Sequence, residues 1–488
     1  MKWALRVKWP IVCVFFMTAR SMRKGPPPIC SNVRAILAHA NFSAGCPRLP
    51  KPPGFEYTMS LVEVAEPLPP SLWAATAEPA VDTPPLDGPV TADVAIVGAG
   101  YTGLSTALHL AEQGLRVCVI DANEPGWGAS GRNGGQVIPG LKYDPDELIR
   151  RFGARDGDAL VQMAGGAADS VFDLIRRHDI QCNATRAGWI QPTHSAKLLG
   201  TLHSRAQQWA ARGAPVELLD RAQISRRLGT DAFVGGWVDL RAGSVHPLSY
   251  ARGLARAAQT AGAAIHGGTR AASVERGPQG WRIRTAQGPL IDSKQILLAT
   301  NGYTDGLWPR LAQSVIAANS FIVATKPLPD DVGATILPGG EVASDSRRLL
   351  LYFRKDVHGR LLMGGRGPFR EPRGAADWMH LERAARLMFP QLENIGYEYR
   401  WAGRIAITRN FLPHVHVPAE GMTIALGYNG RGIAMATTLG RHLAALIGGT
   451  TRGLPLPPTS IEPIPFHALQ RFYISAGVAW YGLLDALS

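Results

Sequence analysis

Two kinds of apolar run alternate at the start of the ordered body of the chain. ADVAIV (92–97) and LRVCVI (115–120) are short and unbroken, as strands buried on both faces are. Between them Leu104, Ala107, Leu108 and Ala111 recur at helical spacing, and Gly114 stops the helix. The prediction is a strand–helix–strand unit. Downstream, SVHPLSYARGLARAAQTAGAAIHGGTRAASVE (244–275) reads as a helix followed by a short strand, and QILLAT (295–300) as another buried strand. Alternating stretches, NSFIVATKPL (319–328), RLLLYFRK (348–355) and GRLLMGGRG (359–367), suit an antiparallel sheet. The last long apolar helix is IAMATTLGRHLAALI, with small residues at Ala434, Ala436 and Gly440.

The 488 residues leave room for two large cores at ~150 residues per domain. With 46% hydrophobic and 18% charged residues the chain is too apolar for disorder and belongs to the globular α/β class. The net charge of +13 is concentrated: residues 1–58 carry nine basic residues against one acid, leaving +5 over the remaining 430. The body is therefore nearly balanced, and no nucleic-acid partner is expected. Residues 1–58 read as a basic leader outside the mature fold, with Met59 as the natural start, and 59–90 as a Pro-rich arm. No run reaches the ~18 apolar residues of a membrane span, so a cytoplasmic protein is expected. Of five cysteines three lie in the leader, and there is no CxxC; neither a disulfide framework nor a metal site is expected, and Cys118 reads as a buried structural thiol. His246, His414 and His416 have no ligand-like spacing, and His246, before Pro247, is expected to cap or pack.

Chemistry enters at Gly98-Ala99-Gly100-Tyr101-Thr102-Gly103, between the first strand and the helix. Gly98 permits the tight turn, Gly100 lets a pyrophosphate approach, and Gly103 lets the helix pack on the strand. Tyr101 and Thr102 begin a helix whose N-terminus offers free N–H groups. Asp121, at the end of the second strand, suits a ribose diol and repels a 2′-phosphate, which leaves NAD or FAD. The loop 126–135 is dense in glycine and small donors, among them Ala129, Ser130, Arg132, Asn133, Gly134 and Gly135, and suits a long, flat cofactor. Gly427-Tyr428-Asn429-Gly430-Arg431-Gly432 opens the last helix, where a positive dipole end can face a flavin ring carbonyl. The same segment also reads as a helix-packing motif.

These motifs, with LLATNGYT (297–304), WAGRIAITRNFLPH (401–414) and the order from SLWAATA (71–77) to the terminal helix, resemble the D-amino acid oxidase-like family of FAD-dependent oxidoreductases. Within it the likeness is to the γ-glutamylputrescine oxidoreductase branch. The resemblance implies a Rossmann-like FAD-binding domain built from discontinuous segments (91–145, 241–305 and 401–465). An inserted α+β substrate domain (146–240 and 306–400) carries an antiparallel sheet, and a helix occupies 466–488. It implies further FAD contacts at Val274, Thr300, Asn301, Gly302, Gly427, Asn429, Gly430, Arg431 and Gly432. Where relatives attach FAD covalently, through a late cysteine or an early histidine, this chain has neither, so non-covalent FAD is implied. The implied reaction oxidises the C–N bond of an amine or amino acid. No second dinucleotide fingerprint is present, so electrons leave to oxygen or a respiratory carrier. Tyr352 and Arg354 share a strand face, with Arg354 the expected clamp for a substrate carboxylate and Arg404 the second choice. Trp401 would wall the pocket, or simply pack in the core. The alternatives are a D-amino acid or glycine/sarcosine-type enzyme, an NAD-dependent dehydrogenase, which leaves the two glycine loops unexplained, and the FAD domain of an RNA-modifying protein.

Overall fold

The computed structural model describes residues 65–486. The expected leader, 1–58, and the start of the arm lie outside the described residues. The first buried run forms the strand Val90–Val97. It lies inside a sheet in which Met422–Leu426, Leu290–Leu298, Val90–Val97, Val117–Ile120 and Ala264–His266 run parallel in that spatial order. Both faces are covered, which explains the unbroken apolar runs. Val94, Ile96, Val117 and Val119 point into a core filled by the helices, while Ala95, Val97, Cys118 and Ile120 point into a second core on the other face. Burial pushes the Cys118 thiol up to about 12, so it stays an inert packing group. The strand Leu290–Leu298 serves two neighbours on one edge. Its first half pairs antiparallel with Gly280–Thr285, and its second half pairs parallel with Met422–Leu426.

The second sheet has eight strands in the order Tyr397–Thr408, Val315–Thr325, Leu361–Arg366, Tyr352–Lys355, Val342–Ser344, Trp189–Thr193, Gly235–Asp239 and Val216–Leu219. All neighbours are antiparallel except Val342–Ser344 with Trp189–Thr193. Phe321, Val323, Phe353, Leu361 and Met363 fill one face with the helix Met379–Met388. The other face carries Ile322, Ala324, Leu362 and Trp401, which pack with Leu72, Trp73 and Leu248.

Three features depart from the expected segmentation. Tyr397–Thr408 pairs along its whole length with Val315–Thr325, so it crosses the expected boundary at residue 400 and belongs to the antiparallel sheet. The helices Pro145–Gly165 and Ala167–Arg177 bury Leu160, Ala164, Ala167 and Val171 in the core of the parallel sheet, although 146–240 was expected as substrate domain. Of RLLLYFRK only Tyr352–Lys355 is a strand. The residues before it turn around the buried Asp345 carboxylate, which accepts the Arg347 and Leu351 N–H groups and pairs with the Arg347 guanidinium. Among the described residues no helix is long and apolar enough to cross a membrane.

His246 caps the helix Pro247–Thr260 by accepting the Ser249 N–H on Nδ1 at 3.1 Å. Its Nε2 lies 3.1 Å from Thr76 Oγ1, whose own proton goes to Leu72 O. These partners require a neutral ring with the proton on Nε2. Burial first, and the Arg354 charge second, push its pKa from 6.5 down to about 4. A base depressed in the folded state contributes stability that is present above pH 6.5 and is lost as pH falls through about 4, here on the order of 3 kcal/mol. Asn at this position keeps a capping acceptor without a titrating ring. The wild type should therefore lose more of its urea midpoint than His246→Asn between neutral pH and about pH 4. Equal losses would show that His246 does not carry the acid sensitivity.

Candidate functional site: two open helix ends meeting at a glycine loop

Gly98, at φ +111°, packs on the end of the neighbouring strand, where a Cβ would sit 2.8 Å from Ala299 O. A Cβ on Gly103 would fall 1.9 Å from Gly98 O, so only glycine lets the helix Tyr101–Glu112 start this close to the strand. Gly100 differs. Its backbone is extended (φ −89°), and a Cβ there would meet only Ser130 Oγ, at 3.0 Å. The absence of a side chain at Gly100 thus keeps space open in front of a helix end that no side chain of the Ncap residue caps. Asp121 Oδ2 accepts the Ala99 N–H at 2.8 Å and Oδ1 accepts the Asn123 N–H at 3.0 Å. Burial raises its pKa to about 6 against the lowering effect of these two bonds.

The loop 129–135 is shaped by Asn133. Its amide nitrogen donates to Ala129 O, Ser130 O and Tyr101 Oη at 3.0–3.1 Å, and its Oδ1 accepts the Gly135 N–H at 2.8 Å. Ser130 Oγ accepts the Tyr101 N–H at 3.0 Å, which joins the loop to the helix end. Arg132 stacks 4.0 Å from the Trp127 ring and donates from Nε to Trp127 O, while its Nη2 is buried without a partner among the described residues.

The second helix end, Gly432–Ile447, also has no side-chain cap, and a Cβ on Gly430 or Gly432 would meet nothing within 4 Å. Asn301 and Asn429 occupy left-handed backbone positions that asparagine tolerates. Asn301 Oδ1 accepts the Gly427 N–H, and Asn429 Oδ1 accepts the Thr408 N–H. LLATNGYT and GYNGRG therefore form one unit, with Gly302 packed against the Arg404 backbone and Thr300 Oγ1 bonded to Thr304 Oγ1 at 2.7 Å. Arg431 donates to Pro139 O and lies over the Trp189 ring at 4.9 Å. The two helices touch where a Cβ on Gly440 would sit 2.7 Å from Ser105 Cβ. Ser105 Oγ and Thr106 Oγ1 donate to Thr437 O and Gly440 O, and the Thr102 and Tyr428 hydroxyls meet at 2.6 Å.

Residues 93–446 match the model of the DAO family, described as FAD dependent oxidoreductase. The chain belongs to this family. It is thus an FAD-dependent oxidoreductase. This DAO-family chain is 31% identical over 432 residues to the γ-glutamylputrescine oxidoreductase of Escherichia coli (strain K12), covering 86% of this chain and 98% of that protein. It is 34% identical over 407 residues to the probable oxidoreductase OrdL of Rhizobium meliloti (strain 1021), with 82% and 94% covered. Among solved structures it resembles glycine oxidase from Geobacillus kaustophilus, with a TM-score of 0.63 at 21% identity, covering 74% of this chain and 95% of that one. That likeness concerns the fold.

The residues present fit FAD. A glycine-opened helix end faces open space on either side of the 129–135 loop, and a carboxylate ends the second strand. Val274 sits mid-strand in Ala271–Gly277, which pairs on one side only, through Ile283, while the Thr269 N–H makes the bond to Asp121 O.

On the antiparallel sheet, Tyr352 and Arg354 do share a face. The Tyr352 ring lies between two glycines, since a Cβ on Gly134 or Gly364 would come within 2.6 Å or 2.1 Å of it. Its hydroxyl meets Ser320 Oγ at 2.9 Å. Arg354 is buried, and its Nη1 donates to Gly135 O and Val245 O at 3.0 Å, so that nitrogen ties the sheet to the FAD-binding half rather than standing open for a carboxylate. Burial lowers its pKa to about 10. Trp401 is 2% exposed, donates from Nε1 to Arg132 O at 2.9 Å and meets Trp73 edge to face, which is packing rather than an open wall. Arg404 is at the surface, paired with Glu371 at 2.8 Å. Reasoning from the sequence missed Trp73, whose Nε1 donates to Asn133 O at 2.8 Å; its presence in SLWAATA carried no sign of that partner. It also missed Arg366, which strand register brings beside Tyr352.

The two glycines make opposite predictions. Gly100→Val should keep the fold by circular dichroism yet purify without flavin, because the added methyls fill space that a pyrophosphate needs. Gly103→Val should fail to fold, because its Cβ collides with Gly98 O. A yellow Gly100→Val protein with stoichiometric FAD would remove the fingerprint from the binding site.

Proposed function

We propose that the enzyme oxidises a primary or secondary amine to an imine, that its substrate is an extended amine of the γ-glutamylputrescine type, and that the electrons leave to oxygen or a respiratory carrier. The observation that carries this reading is the pair of uncapped helix ends flanking the 129–135 loop, with the Tyr352 face of the antiparallel sheet packed against that loop. The likeness to the Escherichia coli γ-glutamylputrescine oxidoreductase supports the substrate class.

In this reading Gly100, Tyr101, Thr102 and Gly103 hold the pyrophosphate at the first helix end, and Asp121 receives the ribose diol. Ser130, Arg132, Asn133, Gly134 and Gly135 flank the dinucleotide. Gly430, Arg431 and Gly432 offer the second helix dipole to the ring system. FAD supplies the two-electron acceptor for removal of hydrogen from the carbon bearing the amine. Water then hydrolyses the imine to a carbonyl compound and releases the amine nitrogen. Tyr352, fixed between Gly134 and Gly364, gives the substrate a rigid aromatic wall, and the Trp73–Trp401 pair closes the adjoining region to solvent. No cysteine follows Cys182, so FAD is held without a covalent bond.

Anaerobic mixing tests the reaction. γ-Glutamylputrescine should bleach the oxidised flavin band, and readmitted oxygen or an artificial dye should restore it. If no amine in a panel that includes glycine, sarcosine and D-amino acids bleaches the flavin, amine oxidation is the wrong chemistry. Acid precipitation should leave the yellow colour in the supernatant; colour that stays with the pellet through a denaturing gel would mean covalent attachment.

A further inference from the structure

One turn past the seam between the helices Tyr101–Glu112 and Gly432–Ile447 lies a cleft that the flavin site does not use. At the seam Ser105 Oγ donates to Thr437 O at 2.8 Å, and a Cβ on Gly440 would touch Ser105. His109 follows Ser105 by four residues and Arg441 follows Thr437 by four, so each stands one turn along from that contact. The helix Ala167–Arg177 closes the third side. Thr438 Oγ1 donates to Ala167 O at 3.4 Å, and Arg177 Nη1 lies 3.7 Å from Glu112 Oε1. Ser170, Asp173, Leu174 and Arg177 have the i, i+3, i+4, i+7 spacing of one helix face, and all four line the cleft. With His109, Thr437 and Arg441 they bound a half-open space of about 580 Å³. His109 is eight residues along its helix from Tyr101, about 12 Å from the end that serves the dinucleotide.

The floor of the cleft is a histidine with an unused nitrogen. His109 is 9% exposed, and its Nδ1 lies 2.7 Å from Ser105 O. A carbonyl oxygen has no proton to give, so Nδ1 carries the ring hydrogen and the Nε2 lone pair is what the ring offers the cleft. Among the described residues Nε2 has no hydrogen-bond partner. Burial holds the ring below its ordinary pKa; the bond to Ser105 O and the Glu112 charge oppose this, while Arg177 and Arg441 add to it. The ring is therefore neutral at pH 7 and above, and Nε2 accepts. Three arginines stand around it against one lining carboxylate. Arg176 pairs with Asp173 at 2.8 Å, and Arg177 leans on Glu112. Arg441 is exposed and makes no hydrogen bond or ion pair among the described residues. A free guanidinium at the rim and a free lone pair on the floor call for a ligand that carries negative charge and a donatable proton together.

We propose that this three-helix cleft is a binding site for hydrogen phosphate, separate from the flavin site and independent of the amine-oxidation reading. The Arg441 fork takes two of the anion's oxygens, Arg177 adds charge beside it, and the P–OH group donates to His109 Nε2. Sulfate has the same shape and charge but no proton at neutral pH. It would set an oxygen lone pair against the imidazole lone pair and leave a buried acceptor unmatched. The dianion of a phosphate monoester has the same defect. The cleft thus selects by protonation rather than by size, and its occupant spans the two helices whose N-termini serve the dinucleotide.

The test titrates the flavin-loaded enzyme, whose pyrophosphate site is filled, in a phosphate-free buffer at about pH 8. There inorganic phosphate keeps one O–H, while sulfate and the methyl phosphate dianion have none. Calorimetry should show phosphate binding, with sulfate and methyl phosphate weaker by roughly 10-fold or more. Arg441→Gln, a change at an exposed side chain, should weaken phosphate and sulfate alike by roughly 10-fold, and Arg441→Lys should recover part of the loss. His109→Leu removes the acceptor and keeps the floor filled, so phosphate affinity should fall to that of sulfate. Absence of phosphate binding, sulfate or methyl phosphate binding as tightly as phosphate, or an affinity unchanged by Arg441→Gln would overturn the site. If His109→Leu does not fold, the comparison of the three anions on the wild type still decides the role of Nε2, and Arg441→Gln decides the place.

Discussion

The structure depends on how closely the helix Tyr101–Glu112 approaches its neighbours. On one side it starts against Gly98 O, at a distance only glycine allows. On the other it meets Gly432–Ile447 through Gly440, with the Ser105 and Thr106 hydroxyls bonded to carbonyls of that helix. Fixing these two helices fixes both of their N-termini, and with them the two positive dipole ends available to a dinucleotide. A larger residue at Gly103 would push the first helix off the strand turn, and one at Gly440 would separate the two helices, so either change would shift one N-terminus relative to the other.

The two sheets are held to one another by backbone carbonyls on the glycine-rich stretch and beside it. Trp73, Trp401 and Arg354 donate to Asn133 O, Arg132 O and Gly135 O, so the arm and two strands of the antiparallel sheet all grip one short stretch, at three of its residues. Glycine lets the loop pass near a cofactor, and its exposed carbonyls then need donors once they are buried. Long side chains carrying a single N–H or a guanidinium supply them. The packing of the two sheets against each other is in this way also what satisfies the loop.

The parallel half was legible because strands covered on both faces leave short unbroken apolar runs such as Val94–Val97 and Val117–Ile120, and because the spacing from Gly98 to Asp121 has a physical meaning at each position. The antiparallel half was less so. Tyr397–Thr408 alternates in the same way whichever sheet receives it, so its place beyond residue 400 emerges only from pairing. The turn before Tyr352 depends on Asp345, whose burial nothing local announces. Arg354 and Arg366 are the same residue type on adjacent strands. Which one is bound to carbonyls and which is left unbonded follows from register and from the approach of Gly135, neither of which is written in the spacing of a single strand.

The arm's contacts also set an order of assembly. Trp73 and Thr76 emerge early in synthesis, yet their partners are Asn133, His246 and Trp401, the last more than three hundred residues downstream. The central strand Val90–Val97 likewise waits for Leu290–Leu298. A growing chain can form the first strand–helix–strand unit as it leaves the ribosome but cannot close the loop around a dinucleotide until almost the entire body is made. Closure of the loop therefore comes late, together with docking of the helix Leu72–Thr76.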